Sequence, residues 1–133
     1  MIGVIVATHS RLAQELLLAA EMIIGPFVLV EPVSIDRGDS IDVARQRLQQ
    51  SFERVAGDGD GVIILTDMFG GTPTNISADF LASGQVEILT GVNLPMLLKC
   101  INARGGMPVD ALAGMLKDYA RNAVMRPSEL LSR

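Results

Sequence analysis

The sequence predicts an α/β fold in three layers, a mainly parallel sheet covered by helices on both faces. Three observations predict it. Short apolar runs rich in Val and Ile recur along the chain, and their lack of alternation marks strands buried on both faces. Longer segments with apolar residues at helical spacing lie between them. Glycine and proline punctuate the joins, as at Gly25-Pro26 and in the GDGDG stretch from Gly57 to Gly61. Strands that alternate with helices of this length form right-handed crossover units, which make successive strands parallel.

The elements follow in order. IGVIVA (2–7) predicts the first strand, FVLVEPVSI (27–35) the second, GVIILT (61–66) the third and QVEILT (85–90) the fourth. Between Ser10 and Gly25, Leu12, Leu16, Ala19, Ala20 and Ile23 recur at helical spacing, and Gly25-Pro26 stops the pattern. From Asp39 to Ala56 the stripe is Ile41, Ala44, Leu48, Phe52 and Val55, with Arg45, Arg47, Gln49 and Gln50 on the outer face. A third helix starts near Pro73, capped by Thr72, and runs to about Ser83. Further helices cover 94–103 and 108–122. No internal repeat or linker divides the 133 residues, so one domain over 1–133 is expected.

Composition excludes several classes of function. The chain is 49% hydrophobic with formal net charge −4 and no run of Lys or Arg longer than a pair, which argues against a nucleic-acid partner. The apolar start lacks a preceding basic region and is too short for a signal peptide or a spanning helix, so a cytoplasmic protein is expected, touching a membrane only through other components. Cys100 is the only cysteine and reads as a small buried hydrophobe.

Open α/β sheets bind ligands beyond the carboxyl ends of the strands, where strand order reverses. In the flavodoxin-like order 2-1-3-4 that point lies between strands 1 and 3. Strand 1 ends in Thr8-His9-Ser10, with the only histidine of the chain; strand 3 runs into Asp67-Met68-Phe69-Gly70-Gly71-Thr72-Pro73; strand 4 ends in Thr90-Gly91-Val92-Asn93-Leu94-Pro95. His9 and Asp67 therefore face each other across the switch point. A zinc site would need ligands that one histidine and a distant cysteine do not supply. Ser10 adjoins His9 and sits on no G-x-S-x-G elbow, which removes a Ser-His-Asp hydrolase. A phosphate-accepting aspartate would need acidic magnesium ligands at the end of strand 1, where Ala7, Thr8 and His9 stand. What remains is His9 as nucleophile or base, with Asp67 fixing its ring. Gly70 and Gly71 lead into the positive end of a helix that could hold an anion, and Thr72 and Thr74 could add hydroxyl donors. The chain has no nucleotide-binding G-x-x-x-x-G-K loop, and no metal or other cofactor is expected. Met68, Phe69, Asn93, Leu94 and Met96 could form the rim that a protein partner touches. Taken singly, each of these residues also fits a plain turn, cap or core position.

The segments VIVATHSRLAQELLLAAEMIIG (4–25), LTDMFGGTPTN (65–75) and TGVNLPML (90–97) together resemble the IIA component of the mannose-type sugar phosphotransferase system. The resemblance runs from residue 2 to about 105. It implies that His9 accepts a phosphoryl group from the histidine phosphocarrier protein and passes it to a IIB component, a phosphotransferase reaction through phosphohistidine. It also implies that Asp67 orients the histidine, and that Gly71, Thr72 and Thr74 bind the phosphoryl group. A homodimer is implied too, in which a C-terminal strand crosses to the partner's sheet; NAVMRP (122–127) could supply that strand. Ser10 departs from the glycine many members carry after the histidine, and should alter only the turn or add a cap. With the chain ending at Arg133, the IIB acceptor is expected to be a separate protein. Two other readings stay open: a regulatory docking module governed by the phosphorylation of His9, and the phosphocarrier subunit of dihydroxyacetone kinase.

Overall fold

The computed structural model describes residues 1–83 and 85–131; Gly84, Ser132 and Arg133 of the expected 1–133 unit lie outside the described residues. Four parallel strands, β1 (Gly3–His9), β2 (Val30–Ile35), β3 (Val62–Thr66) and β4 (Val86–Leu89), form one sheet in the order β2-β1-β3-β4. The helices are α1 (Leu12–Ile24), α2 (Ile41–Val55), α3 (Gly71–Ser77), α4 (Leu94–Ala103), α5 (Val109–Asn122) and α6 (Pro127–Leu131), with a 3₁₀ turn at Ala78–Ser83 continuing α3. The doubly wound class and its strand order are those the sequence predicts.

Alternate side chains of each strand face opposite layers, because strand side chains repeat every two residues. Val4, Val6, Ile63 and Leu65 pack with α1, α4 and α5 through Ala13, Leu17, Leu97, Leu112 and Leu116. Ile5, Ala7, Val62 and Ile64 pack on the other face with Ala44, Leu48 and Val55 of α2 and Ile76 of α3. Both layers are apolar, which is why β1 and β3 read as unbroken hydrophobic runs. Gly3 is required by the second layer: a Cβ there would meet the Val55 carbonyl oxygen at 2.3 Å. Cys100 is buried with its thiol pushed up to about 12 by desolvation, so it serves as core.

Three boundaries differ from the sequence reading for physical reasons. β1 continues to His9 because β2 goes on pairing beside it, to the register His9 with Ile35. α3 begins at Gly71, not Pro73, with Gly70 rather than Thr72 at the cap, and tightens into 3₁₀ after Ser77. The strand expected at 122–127 does not form within this chain. Asn122 closes α5, residues 124–126 have no regular structure, Pro127 starts α6, and Val124 and Met125 are exposed. A strand needs a partner edge, and the described residues bring none to this segment.

Candidate active site

The ladder between β1 and β3 stops at the pair Ala7 with Thr66. Just beyond it the Asp67 side chain takes over the bonding. Its Oδ2 accepts from the His9 backbone N–H at 3.0 Å and lies 2.8 Å from His9 Nδ1. A carboxylate oxygen only accepts, so Nδ1 is the donor of this contact, and in the neutral form of the ring the lone pair is on Nε2. The Asp67 side chain is largely buried, at 13% exposure, whereas that of His9 is half exposed, at 49%. Oδ1 of Asp67 is buried without a hydrogen-bond partner, so the polar contact of the carboxylate runs through Oδ2 to His9 alone. A buried acceptor therefore clamps an accessible ring at both the backbone and Nδ1, the orientation a nucleophilic imidazole needs.

The free edge of the ring faces Gly71. A Cβ on Gly71 would lie 3.1 Å from His9 Cε1 and 3.2 Å from Nε2, and the backbone there has φ +77°. Gly70, at φ +86°, has open space around its Cβ position. The pair separates two effects of alanine. Gly70→Ala carries left-handed strain only, about 1–3 kcal/mol. Gly71→Ala adds a methyl against Nε2, and if that nitrogen reacts a displacement of that kind can cost about 10²-fold in rate. Both variants are expected to lower Tm, but only Gly71→Ala is expected to slow turnover by that factor, in melting curves and transfer assays run side by side.

His9, Ser10 and Thr72 line a hollow of about 400 Å3 together with Ile35, Asp36, Arg37 and Asp39. Among the described residues the Thr72 hydroxyl has no hydrogen-bond partner, and it lines the hollow where a ligand could reach it. Thr74 lies elsewhere. Its hydroxyl donates to the Met68 carbonyl at 2.7 Å and pairs with the buried Thr66 hydroxyl at 2.8 Å, so it braces the 67–70 loop from beneath. Asp36, Arg37 and Asp39, the three lining residues after β2, belong to none of the site motifs; the same strand-end rule, applied to β2, points to them.

Ser10 takes the left-handed backbone, φ +54°, and its N–H donates to the Ile35 carbonyl at 2.8 Å. Glycine adopts that conformation without steric cost. Ser10 does not cap α1: Thr8 Oγ1 accepts from the Ala13 N–H at 2.8 Å instead.

Of the five rim residues, Met68 and Phe69 are exposed, Phe69 at 85%. Leu94 is half-buried, packed against the core. Asn93 caps α4 by accepting from the Met96 N–H at 2.8 Å and donates to the Ala120 carbonyl. Met96 is not on the rim: it is 3% exposed, because the first turn of α4 directs it inward with Leu97 and Cys100. Phe69, Asn93 and Met96 instead border a groove of about 700 Å3 along β4 and α5.

Fold and site together define a doubly wound α/β protein with a clamped, accessible imidazole at the switch point of its sheet. A family model described as "PTS system fructose IIA component" matches residues 3–117, and the chain belongs to this mannose-type family of phosphotransferase-system IIA components. The chain is 30% identical to the PTS system fructose-specific EIIA component of Bacillus subtilis, over all of this chain and 91% of that protein. It is 27% identical to the PTS system mannose-specific EIIAB component of Escherichia coli, where the match takes in 92% of this chain but spans only 38% of that protein. Among solved structures, phosphotransferase system component EIIA from Streptococcus agalactiae superposes with a TM-score of 0.87 at 26% identity, covering 97% of this chain and 99% of that one.

Proposed function

We propose that the chain is a phosphocarrier domain in which His9 Nε2 takes a phosphoryl group from the histidine phosphocarrier protein and passes it to a IIB component in the service of sugar uptake. The observation that carries this reading is the contact of Asp67 Oδ2 with both the backbone and Nδ1 of His9, which leaves Nε2 as the nucleophile. In the step, the bond from Nε2 to phosphorus forms as the donor's nitrogen–phosphorus bond breaks. The electron pair of the broken bond stays with the donor nitrogen. The Nδ1 proton does not move, and the carboxylate facing it stabilises the positive charge the ring acquires. Gly71 and Thr72 are the proposed phosphoryl contacts, supported by the close approach of the Gly71 Cβ position to Nε2 and by the Thr72 hydroxyl in the hollow, while Gly70, also a candidate contact from the sequence, is proposed to set the turn that presents them. Thr74, its proton committed to Met68, acts through the loop it braces.

Such a carrier must serve two proteins in turn, which fits a half-exposed ring beside the exposed Met68 and Phe69. The family reading also includes a homodimer with an exchanged C-terminal strand. The outer edge of β4, unpaired among the described residues, and the exposed Val124 and Met125 support that arrangement. A cytoplasmic location belongs to the same proposal; among the described residues no helix is long and apolar enough to cross a membrane. The test is incubation with phosphoenolpyruvate, enzyme I and the histidine phosphocarrier protein. An acid-labile phosphoryl group on Nε2 by ³¹P NMR, which chases onto a IIB component, is the expected result. A label that forms but does not chase favours the regulatory docking module, and a folded chain that takes no label sinks the carrier reading.

A further inference from the structure

We propose that Arg37 supplies the cationic contact for the phosphoryl group on His9, a role that rests on the phosphocarrier reading above. A phosphoryl group brings close to two negative charges to Nε2, and the glycines and Thr72 offer only neutral donors. Arg37 is the one cationic side chain among the described residues lining the hollow that contains the His9 ring. It takes part in no ion pair or hydrogen bond among the described residues. Other arginines are already engaged: Arg47 with Asp39 and the Ser34 carbonyl, Arg54 with Glu31, Arg45 with Asp79, and Arg104 with backbone carbonyls.

The backbone under Arg37 is braced while its side chain is not. The turn after β2 closes through the Asp39 N–H donating to the Asp36 carbonyl at 3.1 Å, and the Asp36 N–H donates to Asp39 Oδ2 at 2.7 Å. Arg47 pins the Asp39 carboxylate and holds it below the usual carboxylate range. The register pairs His9 with Ile35, the last residue of β2, and Arg37 follows two residues on, in the turn that lines the same hollow as the imidazole. The carboxylates facing the hollow are Asp36 and Asp39. Asp39 is neutralised by Arg47, so Asp36 is the opposing charge that Arg37 must outweigh. A planar guanidinium matches two phosphoryl oxygens at once and stays charged throughout the transfer, so it moves no proton.

The test compares Arg37→Ala, Arg37→Lys and Arg11→Ala with the wild type; Arg11 is a nearby exposed arginine that does not line the hollow. Two quantities are read by ³¹P NMR: the partition of phosphoryl groups between chain and donor at equilibrium, and the lifetime of phosphohistidine in the isolated phosphorylated chain. Arg37→Ala is expected to shift the partition about tenfold toward the donor and to shorten the lifetime several-fold. Arg37→Lys, which keeps the charge but loses the two-point fork, should recover only part of both, and Arg11→Ala should match the wild type. The lifetime involves no partner, so a residue that only steers docking would leave it unchanged. A labelled wild type with Arg37→Ala equal to it in partition and lifetime overturns this proposal alone, whatever happens to the donor's KM. A wild type that takes no label overturns the carrier reading and this proposal with it.

Discussion

His9→Gln is expected to reduce phosphoryl labelling to background without unfolding the protein. Glutamine fills a similar volume, and its side chain can still bond to Asp67 Oδ2, but an amide nitrogen has no lone pair free to attack phosphorus. The His9 backbone N–H keeps its bond to Asp67, and the side chain is half exposed, so little packing is lost. Stability should therefore change by no more than about 0.5 kcal/mol, the usual range for surface substitutions. Circular dichroism melting beside the labelling assay checks both halves of the expectation. A variant that folds and still takes acid-labile phosphate would place the acceptor on another residue.

Asp67→Ala and Asp67→Asn are expected to slow transfer without abolishing it. Alanine removes the acceptor on Nδ1, frees the ring to rotate and leaves the imidazolium character of the phosphorylated state without a countercharge; a loss of about 10²- to 10⁴-fold in kcat follows. Asparagine keeps one acceptor oxygen but no charge, and puts an amide where the buried Oδ1 stands without a partner, so it should fall between alanine and wild type. Because Asp67 is largely buried and touches the ring, not the partner, the fall should appear in kcat with little change in KM for the donor. Single-turnover transfer from the phosphorylated carrier measures it. Equal rates for wild type and Asp67→Ala would remove the orienting role.

The layers of the fold were open to reading because burial on both faces leaves a strong local signal. Val4 and Val6 against Ile5 and Ala7 need two apolar layers, whichever helices provide them. The end of the apolar run is legible for the same reason, at Thr8 and His9, although β1 itself runs on to His9 because β2 keeps pairing beside it. Met96 belongs to the core and not to the rim, as the helical spacing of Met96, Leu97 and Cys100 on one inward face of α4 shows. The C-terminal segment was harder. Whether Val124 and Met125 join a strand depends on an edge outside their own stretch of chain, and no local pattern encodes that edge.

By itself the sequence determined the α/β class and the strand ends on which the histidine and the aspartate stand, because periodicity is a local property that suffices for those conclusions; the order β2-β1-β3-β4, expected from the flavodoxin-like pattern, is fixed by pairing between strands. Only the tertiary structure decided which imidazole nitrogen is free. It also separated Thr72, whose hydroxyl is available, from Thr74, whose hydroxyl is tied to Met68, and it brought Arg37 into the hollow of His9. These outcomes turn on hydrogen bonds and approaches between residues far apart in the chain, where a few tenths of an ångström choose the partner.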